Sequence, residues 1–78
     1  MSSRRRNGGL NFERFGKLML QARADLSIRA YLEGGPIAIA TWFRAEKGME
    51  PSTANFIAIC DWMGLEPGAA IRHIRSGA

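Results

Sequence analysis

The sequence predicts an all-α protein, folded as a compact bundle of about five short helices. Apolar residues recur at steps of three and four along most of the chain, which is the spacing of a helix with one buried face. No stretch shows the strict apolar and polar alternation of a half-buried strand. Glycine, proline and helix-capping residues divide the chain into segments joined by short loops, so these helices are expected to share one core.

The first two helices are predicted from their capping residues. Asn11 is a good N-cap, and the apolar pattern after it predicts a helix over about residues 12–24. Ser27 caps a short second helix, which the segment 34–36 (Gly-Gly-Pro) stops. The apolar stripe expected to be buried on the first helix consists of Phe12, Phe15, Met19, Ala22 and Leu26.

Three more helices follow from the same kind of signal. The third is expected over about residues 38–46, with Gly48 as the residue that ends it. A Ser-Thr pair after Pro51 caps a fourth helix, which Gly64 closes. Pro67 is well suited to the first position of a short last helix.

The charge of the chain is concentrated at its ends. The 78 residues carry a net charge of +4, and Arg4, Arg5 and Arg6 supply three positive charges in a polar, glycine-rich segment. Residues 1–10 are therefore predicted to be a flexible basic arm that contacts phosphates or the minor groove of DNA, although a solubilising tail would look the same. Residues 11–75 are predicted to form one domain, and 76–78 a short tail.

Several classes of protein are disfavoured by composition. One cysteine and one histidine give neither an intrachain disulfide nor a zinc site, so no metal and no cofactor is expected. No nucleophile with its base and no phosphate-binding glycine loop is present, so the chain is predicted not to be an enzyme and to have no small-molecule substrate. Without a secretory signal or a membrane-spanning segment, a soluble cytoplasmic protein is expected.

Three segments carry a resemblance to a known family. They are 26–29 (Leu-Ser-Ile-Arg), 41–48 (Thr-Trp-Phe-Arg-Ala-Glu-Lys-Gly) and 56–65 (Phe-Ile-Ala-Ile-Cys-Asp-Trp-Met-Gly-Leu). Their order and spacing resemble the Cro and repressor family of phage and bacterial DNA-binding domains, over about residues 12–66. The resemblance implies a helix-turn-helix with its turn at about 33–37 and its recognition helix at about 38–46.

The function that this resemblance implies is sequence-specific binding of double-stranded DNA by a phage or prophage transcriptional regulator. Such a protein would act as a homodimer at the nucleoid of a bacterial host, with the third helix in the major groove. Arg44 is the best base-reading candidate, because arginine can donate two parallel hydrogen bonds to guanine. The other expected DNA contacts are Ile39, Ala40, Thr41, Phe43, Lys47, Ser27, Arg29, Arg4, Arg5 and Arg6. The expected dimer contacts are Trp62, Ile71 and Ile74.

The chain departs from the family pattern at two places. Pro36 stands where the family has its turn glycine, so Gly34 or Gly35 is expected to take the left-handed conformation. Gln21 stands where the family has an arginine that pairs with the glutamate of the third helix. Glu46 is therefore expected to bond to Gln21 or to one of two arginines, at positions 23 and 44.

Two alternatives stay open for the third helix. Trp42 and Ala45 face the core in the family register, but Ile39, Trp42 and Phe43 span only about 100° and could all be buried. If Ile39 and Phe43 are exposed, they could instead form an apolar patch that binds protein. The protein would then be an antirepressor-like interaction module with a helix-turn-helix fold that no longer reads DNA.

Overall fold

The computed structural model describes residues 9–75 and arranges them as a compact bundle of helices. Within these residues no strand is present, and a single antiparallel bridge joins Leu10 to Arg75. The predicted all-α class is therefore confirmed. The helices are α1 (Phe12–Arg23), α2 (Ile28–Leu32), α3 (Ile39–Glu46), α4 (Thr53–Met63) and α5 (Pro67–Ile74).

The helices begin where side chains can satisfy their first backbone N–H groups. Asn11, Ser27 and Ser52 each accept hydrogen bonds from backbone N–H groups in the first turn of α1, α2 and α4. α3 begins at Ile39, one residue later than predicted, and its N-cap Ala38 has no side-chain oxygen with which to cap it. Local capping chemistry thus accounts for three of the five helix starts.

The turn between α2 and α3 depends on a left-handed residue. Gly34 has a φ of 80°, whereas Gly35 does not fall in the positive-φ region. Gly34 therefore takes the left-handed conformation that Pro36 cannot adopt, which is one of the two expected options. Pro36 lies in the exposed link to α3.

One apolar core holds all five helices together. Phe15 packs against Phe56 at a ring-centroid distance of 4.8 Å, and Phe12 meets both rings edge-on. α1 packs against both α3 and α5, so it is the central element of the bundle. The buried hydrophobic residues of the core are Phe12, Phe15, Met19, Leu32, Ile37, Trp42, Ala45, Phe56, Ile59, Cys60, Ala70 and Ile74.

Two members of the predicted α1 stripe are not buried. Ala22 and Leu26 are both exposed, so this part of the expectation was wrong. The buried residues of α1 end at Met19, which leaves Ala22 in a last turn that extends past the core. α1 itself ends at Arg23, so the helical spacing that would have carried Leu26 onto the buried face stops before that residue.

Ile74 also differs from its expectation. It was predicted to be a dimer contact because little core seemed left for α5 to cover, but it is fully buried inside the protomer. The start of α1 lies directly beside it, and the Asn11 backbone N–H donates to the Ile74 carbonyl at 2.8 Å. Ile74 is therefore a core residue.

None of the helices in residues 9–75 combines the length and apolar character that crossing a membrane requires.

Candidate nucleic-acid interface

α3 presents two distinct faces. Trp42 is 0% exposed and Ala45 is 2% exposed, so these two side chains attach the helix to the core. Ile39 is 40% exposed and Phe43 is 47% exposed. The alternative in which Ile39, Trp42 and Phe43 are all buried is therefore wrong, and the outward face remains available to a partner.

The outward face of α3 combines apolar and basic side chains. Lys47 lies over the ring of Phe43, with its Nζ atom 5.1 Å from the ring centroid, so the cation and the aromatic face form one continuous surface. Thr41 is partly buried at the edge of this surface. The residues on the outward face are Ile39, Ala40, Phe43, Arg44 and Lys47, and all of them are exposed.

The other described site candidates lie on either side of this face. Ser27, the N-cap of α2, and Arg29 in its first turn are exposed and line a shallow groove that they share with Ile39. Ser27 already accepts a hydrogen bond from the backbone of α2, but its hydroxyl hydrogen can still be donated. Thr41 and Arg44 line a second cleft, between α3 and the start of α4. Arg4, Arg5 and Arg6 lie outside the described residues.

A polar cluster fixes the C-terminal end of α3 to α1. Arg23 donates from Nε to Glu46 Oε2 at 2.7 Å and from Nη2 to Glu46 Oε1 at 3.1 Å, which is a bidentate ion pair. Trp42 Nε1 donates to the same Glu46 Oε2 at 3.2 Å. Of the three expected partners of Glu46, the structure therefore has Arg23, and not Gln21 or Arg44, bonded to it.

The same contacts change the pKa of the carboxyl group. The hydrogen bond from Arg23 is the largest cause that lowers the pKa of Glu46, and the bond from Trp42 acts in the same direction against the effect of burial. Glu46 thus stays ionised on folding and holds two helices together. The ion pair between Arg23 of α1 and Glu46 of α3, together with the burial of Trp42, holds α3 with one face against the core.

Gly16 allows α1 and α3 to approach closely. A Cβ atom at this position would overlap the carbonyl oxygen of Glu46 and come within 3.0 Å of the Glu46 carbonyl carbon. Both of these atoms belong to the backbone and cannot rotate away. Sequence analysis missed this residue, although a glycine inside a helix is a signal of close backbone approach.

A second close approach holds the turn before α3. The ring of Trp62 lies against Gly35, where a Cβ atom would be 2.6 Å from Cη2 of the indole. Trp62 Nε1 donates to the Tyr31 carbonyl at 3.0 Å, and the Tyr31 ring packs against Trp42 at 5.3 Å. Trp62, expected at a dimer contact, therefore has structural contacts within its own protomer, and it remains partly exposed.

The remaining dimer candidate, and the cysteine and histidine of the chain, have ordinary surroundings. Ile71 is partly buried, and His73 is exposed. Cys60 is buried, and this burial raises the pKa of its thiol to about 11, which makes it a poor nucleophile. In the part of the chain from 9 to 75, no three His, Cys, Asp or Glu side chains lie together in a way that could hold a metal ion.

Comparisons with protein-family models, with curated proteins and with solved structures found no match to this chain.

Proposed function

We propose that the protein is a sequence-specific regulator that binds double-stranded DNA, with α2 and α3 as a helix-turn-helix and α3 in the major groove. The observation that carries this proposal is the division of α3 into two faces. Trp42 and Ala45 are buried, while a continuous face of small, apolar and basic side chains points outward. A rigidly attached helix with such a face fits the shape of the major groove.

The outward side chains suit different parts of a duplex. Arg44 is exposed and makes no ion pair with a carboxylate in residues 9–75, so its guanidinium group is available for two hydrogen bonds to a guanine. Ile39 and Phe43 suit contact with thymine methyl groups. Ser27, Arg29 and the other flanking polar residues would contact phosphates and set the pose of the helix.

The arm and the oligomeric state complete the proposal. Arg4 to Arg6 would contact the backbone or minor groove and supply much of the non-specific affinity. A homodimer would read two half-sites about one helical turn apart, with Ile71 and Trp62 as its contact candidates. In this form the protein would act as a Cro-like or repressor-like regulator of a phage or prophage.

Fluorescence polarisation with selected and mixed-sequence duplexes tests the proposal. The preferred sequence is first obtained by selection from random DNA. We expect Arg44→Ala to weaken the free energy of binding to the selected duplex by about 1–3 kcal/mol and to change binding to the mixed-sequence duplex little. Deleting Arg4 to Arg6 should weaken binding to both duplexes and flatten the dependence on salt. An equal loss on both duplexes for Arg44→Ala would contradict base reading by this side chain.

A second candidate function is supported by the exposed apolar side chains on α3. Ile39 and Phe43 are 40% and 47% exposed, and a protein interface would bury both. Under this alternative the protein is an interaction module, such as an antirepressor, that does not read DNA. No binding of any duplex at low salt, together with unchanged folding, would favour this second function over the first.

A further inference from the structure

The outer side of α4 is apolar, although it points away from the core. The buried residues of this helix are Phe56, Ile59 and Cys60. At about 100° per residue, positions 54, 57, 58 and 61 share the opposite side. We define the outer α4 face by these residues: Ala54, Ile57, Ala58 and Asp61. A helix that is apolar on two opposite sides is expected to be covered on both.

A groove with a largely apolar lining runs along this face. The Ile57 side chain is 49% exposed, and Leu65 and Pro67, from the segment that leads into α5, lie across the groove from α4. The lining contains two carboxylates, on Asp61 and Glu66, and no lysine or arginine. Such a surface repels the phosphates of a nucleic acid, so the groove suits a protein.

Exposure alone does not distinguish Ile57 from other apolar side chains. Leu20 on α1 is also 49% exposed, but both Lys17 and Lys47, together with two glutamates, line its groove. Leu20 is therefore a single apolar side chain among charged ones, which is ordinary for a protein surface. Ile57 lies instead on an apolar face beside an apolar groove, and this difference makes Leu20 a matched control.

The position of Asp61 indicates what covers the outer α4 face. Asp61 lies in the last turn of α4, where a negative charge opposes the helix dipole, and that turn holds no basic residue. Asp61 also makes no ion pair with any side chain in residues 9–75. The positive end of the same dipole lies at the start of α4, beside Ala54. One face thus carries a negative charge at one end and a positive dipole at the other, so it is complementary to a reversed copy of itself.

Two-fold symmetry makes this complementarity specific. An axis that crosses α4 between residues 57 and 58 reverses the direction of the helix, and residues 54 and 61 lie equally far from it. Asp61 of one copy therefore faces Ala54, at the positive end of α4, in the other copy. Ile57 meets Ile57 near the axis, and the small side chains of Ala54 and Ala58 let the two helices approach. The same patch is buried on both copies, as in most homodimers.

We propose that a second copy of the chain covers the outer α4 face, with the two α4 helices antiparallel. Ser52 and Asn55, which line the cleft shared with Arg44, lie on another side of α4, so this pairing leaves the outward side of α3 free. The use of the dimer to read two half-sites rests on the proposed function, whereas formation of the dimer does not.

Sedimentation equilibrium of the full chain without DNA tests the proposal. With rising concentration the mass should approach twice the monomer mass of 8.6 kDa. Ile57→Glu should raise the dimer dissociation constant by at least about thirtyfold, because an apolar contact is lost and a charge is buried in both copies. Leu20→Glu introduces the same charge at an equally exposed leucine and should dimerise like the unchanged protein.

Two further variants test the direction of the helices and the identity of the partner. Asp61→Lys should weaken the dimer, because it places a positive charge against the positive end of α4 in the other copy. Asp25→Lys makes the same change of charge at an exposed residue outside the face and should have no such effect.

Ala58→Cys should form a disulfide-linked dimer on mild oxidation, because the two copies of residue 58 meet beside the axis. Leu20→Cys should stay monomeric in reducing-agent-free gels, and Cys60 is buried and does not compete. Circular dichroism should show that every variant is folded.

Three results would overturn the inference. The first is a chain that stays at 8.6 kDa up to its solubility limit, whether or not the face then binds another protein. The second is a dimer that Ile57→Glu leaves as tight as Leu20→Glu does. The third is a dimer that Phe43→Glu dissociates and Ile57→Glu does not, since the outward side of α3 would then be the interface.

Failure of the proposed function is distinguishable from failure of this inference. A chain that binds no duplex but dimerises through α4 keeps the mass change and its loss in Ile57→Glu. A chain that reads DNA but does not use this face shows sequence preference and no effect of Ile57→Glu on mass.

Discussion

Replacing Gly16 with alanine tests whether α3 is held in the described position. The new methyl group would overlap the Glu46 carbonyl oxygen and lie 3.0 Å from the Glu46 carbonyl carbon and 3.3 Å from the Ala45 carbonyl oxygen. All three neighbours are backbone atoms, so relief requires α1 and α3 to move apart. That movement would weaken the bonds that Arg23 and Trp42 make to Glu46.

The expected loss combines two opposing effects. Overpacking a close contact costs about 1–3 kcal/mol, and the upper end applies because no side chain can rotate to make room. Alanine is more favourable than glycine in a helix interior by about 1 kcal/mol, which offsets part of this cost. We therefore expect Gly16→Ala to lower the free energy of unfolding by about 2 kcal/mol. The corresponding fall in Tm for a domain of this size is about 8–16 °C.

Thermal and urea unfolding followed by circular dichroism measures this effect. Gly68→Ala is the matched control, because Gly68 also lies in a helix but a Cβ atom there would be 3.8 Å from Arg72 Nη1, an ordinary contact. The control should be more stable than the unchanged protein by about 0.5 kcal/mol. If Gly16→Ala is as stable as Gly68→Ala, the close packing of α1 on α3 is refuted.

Two further substitutions and one labelling reaction test other parts of the site. Ionised Glu46 stabilises the fold above its usual pKa of 4.5, and this contribution is lost as pH falls through its lowered native pKa. Glu46→Gln should therefore make the free energy of unfolding less dependent on pH in acid solution. An unchanged pH dependence in acid would contradict the role of the bond between Glu46 and Arg23. Gly35→Ala should change the near-UV circular dichroism of Trp62 and lower stability by about 1–3 kcal/mol; identical spectra would refute that contact. Cys60 should react with a thiol reagent at pH 8 only as fast as the protein unfolds, and rapid labelling of the native state would contradict its burial.

Most helix boundaries were predictable because they depend on neighbouring residues. Asn11, Ser27 and Ser52 act as caps within a few residues of their own position, and Pro67 begins α5 as its ring geometry favours. The division of α3 into a buried and an exposed face was one of the alternatives left open, because helical periodicity also allowed Ile39, Trp42 and Phe43 to be buried together.

The remaining features depend on residues that are distant in sequence. Arg23 was one of several options for Glu46, and the packing of α1 against α3 determines which side chain reaches it. Gly16 requires α3 to pass at backbone distance, and Ile74 is buried because the start of α1 folds beside it. Local patterns do not identify which distant residue each of these side chains or backbone atoms meets. The DNA-binding role of α3 and the arm stays a prediction that needs the binding experiments.

The pairing of Leu10 with Arg75 places the two ends of the described chain next to each other. A short linker could therefore join residue 75 to residue 9, and new termini could be opened in the exposed segment around Met49 and Glu50. Such a circular permutant would keep every helix contact while moving the arm's attachment to another face. The first and last helices must also form their contacts together, so α5 cannot be removed without exposing the core that Ile74 completes.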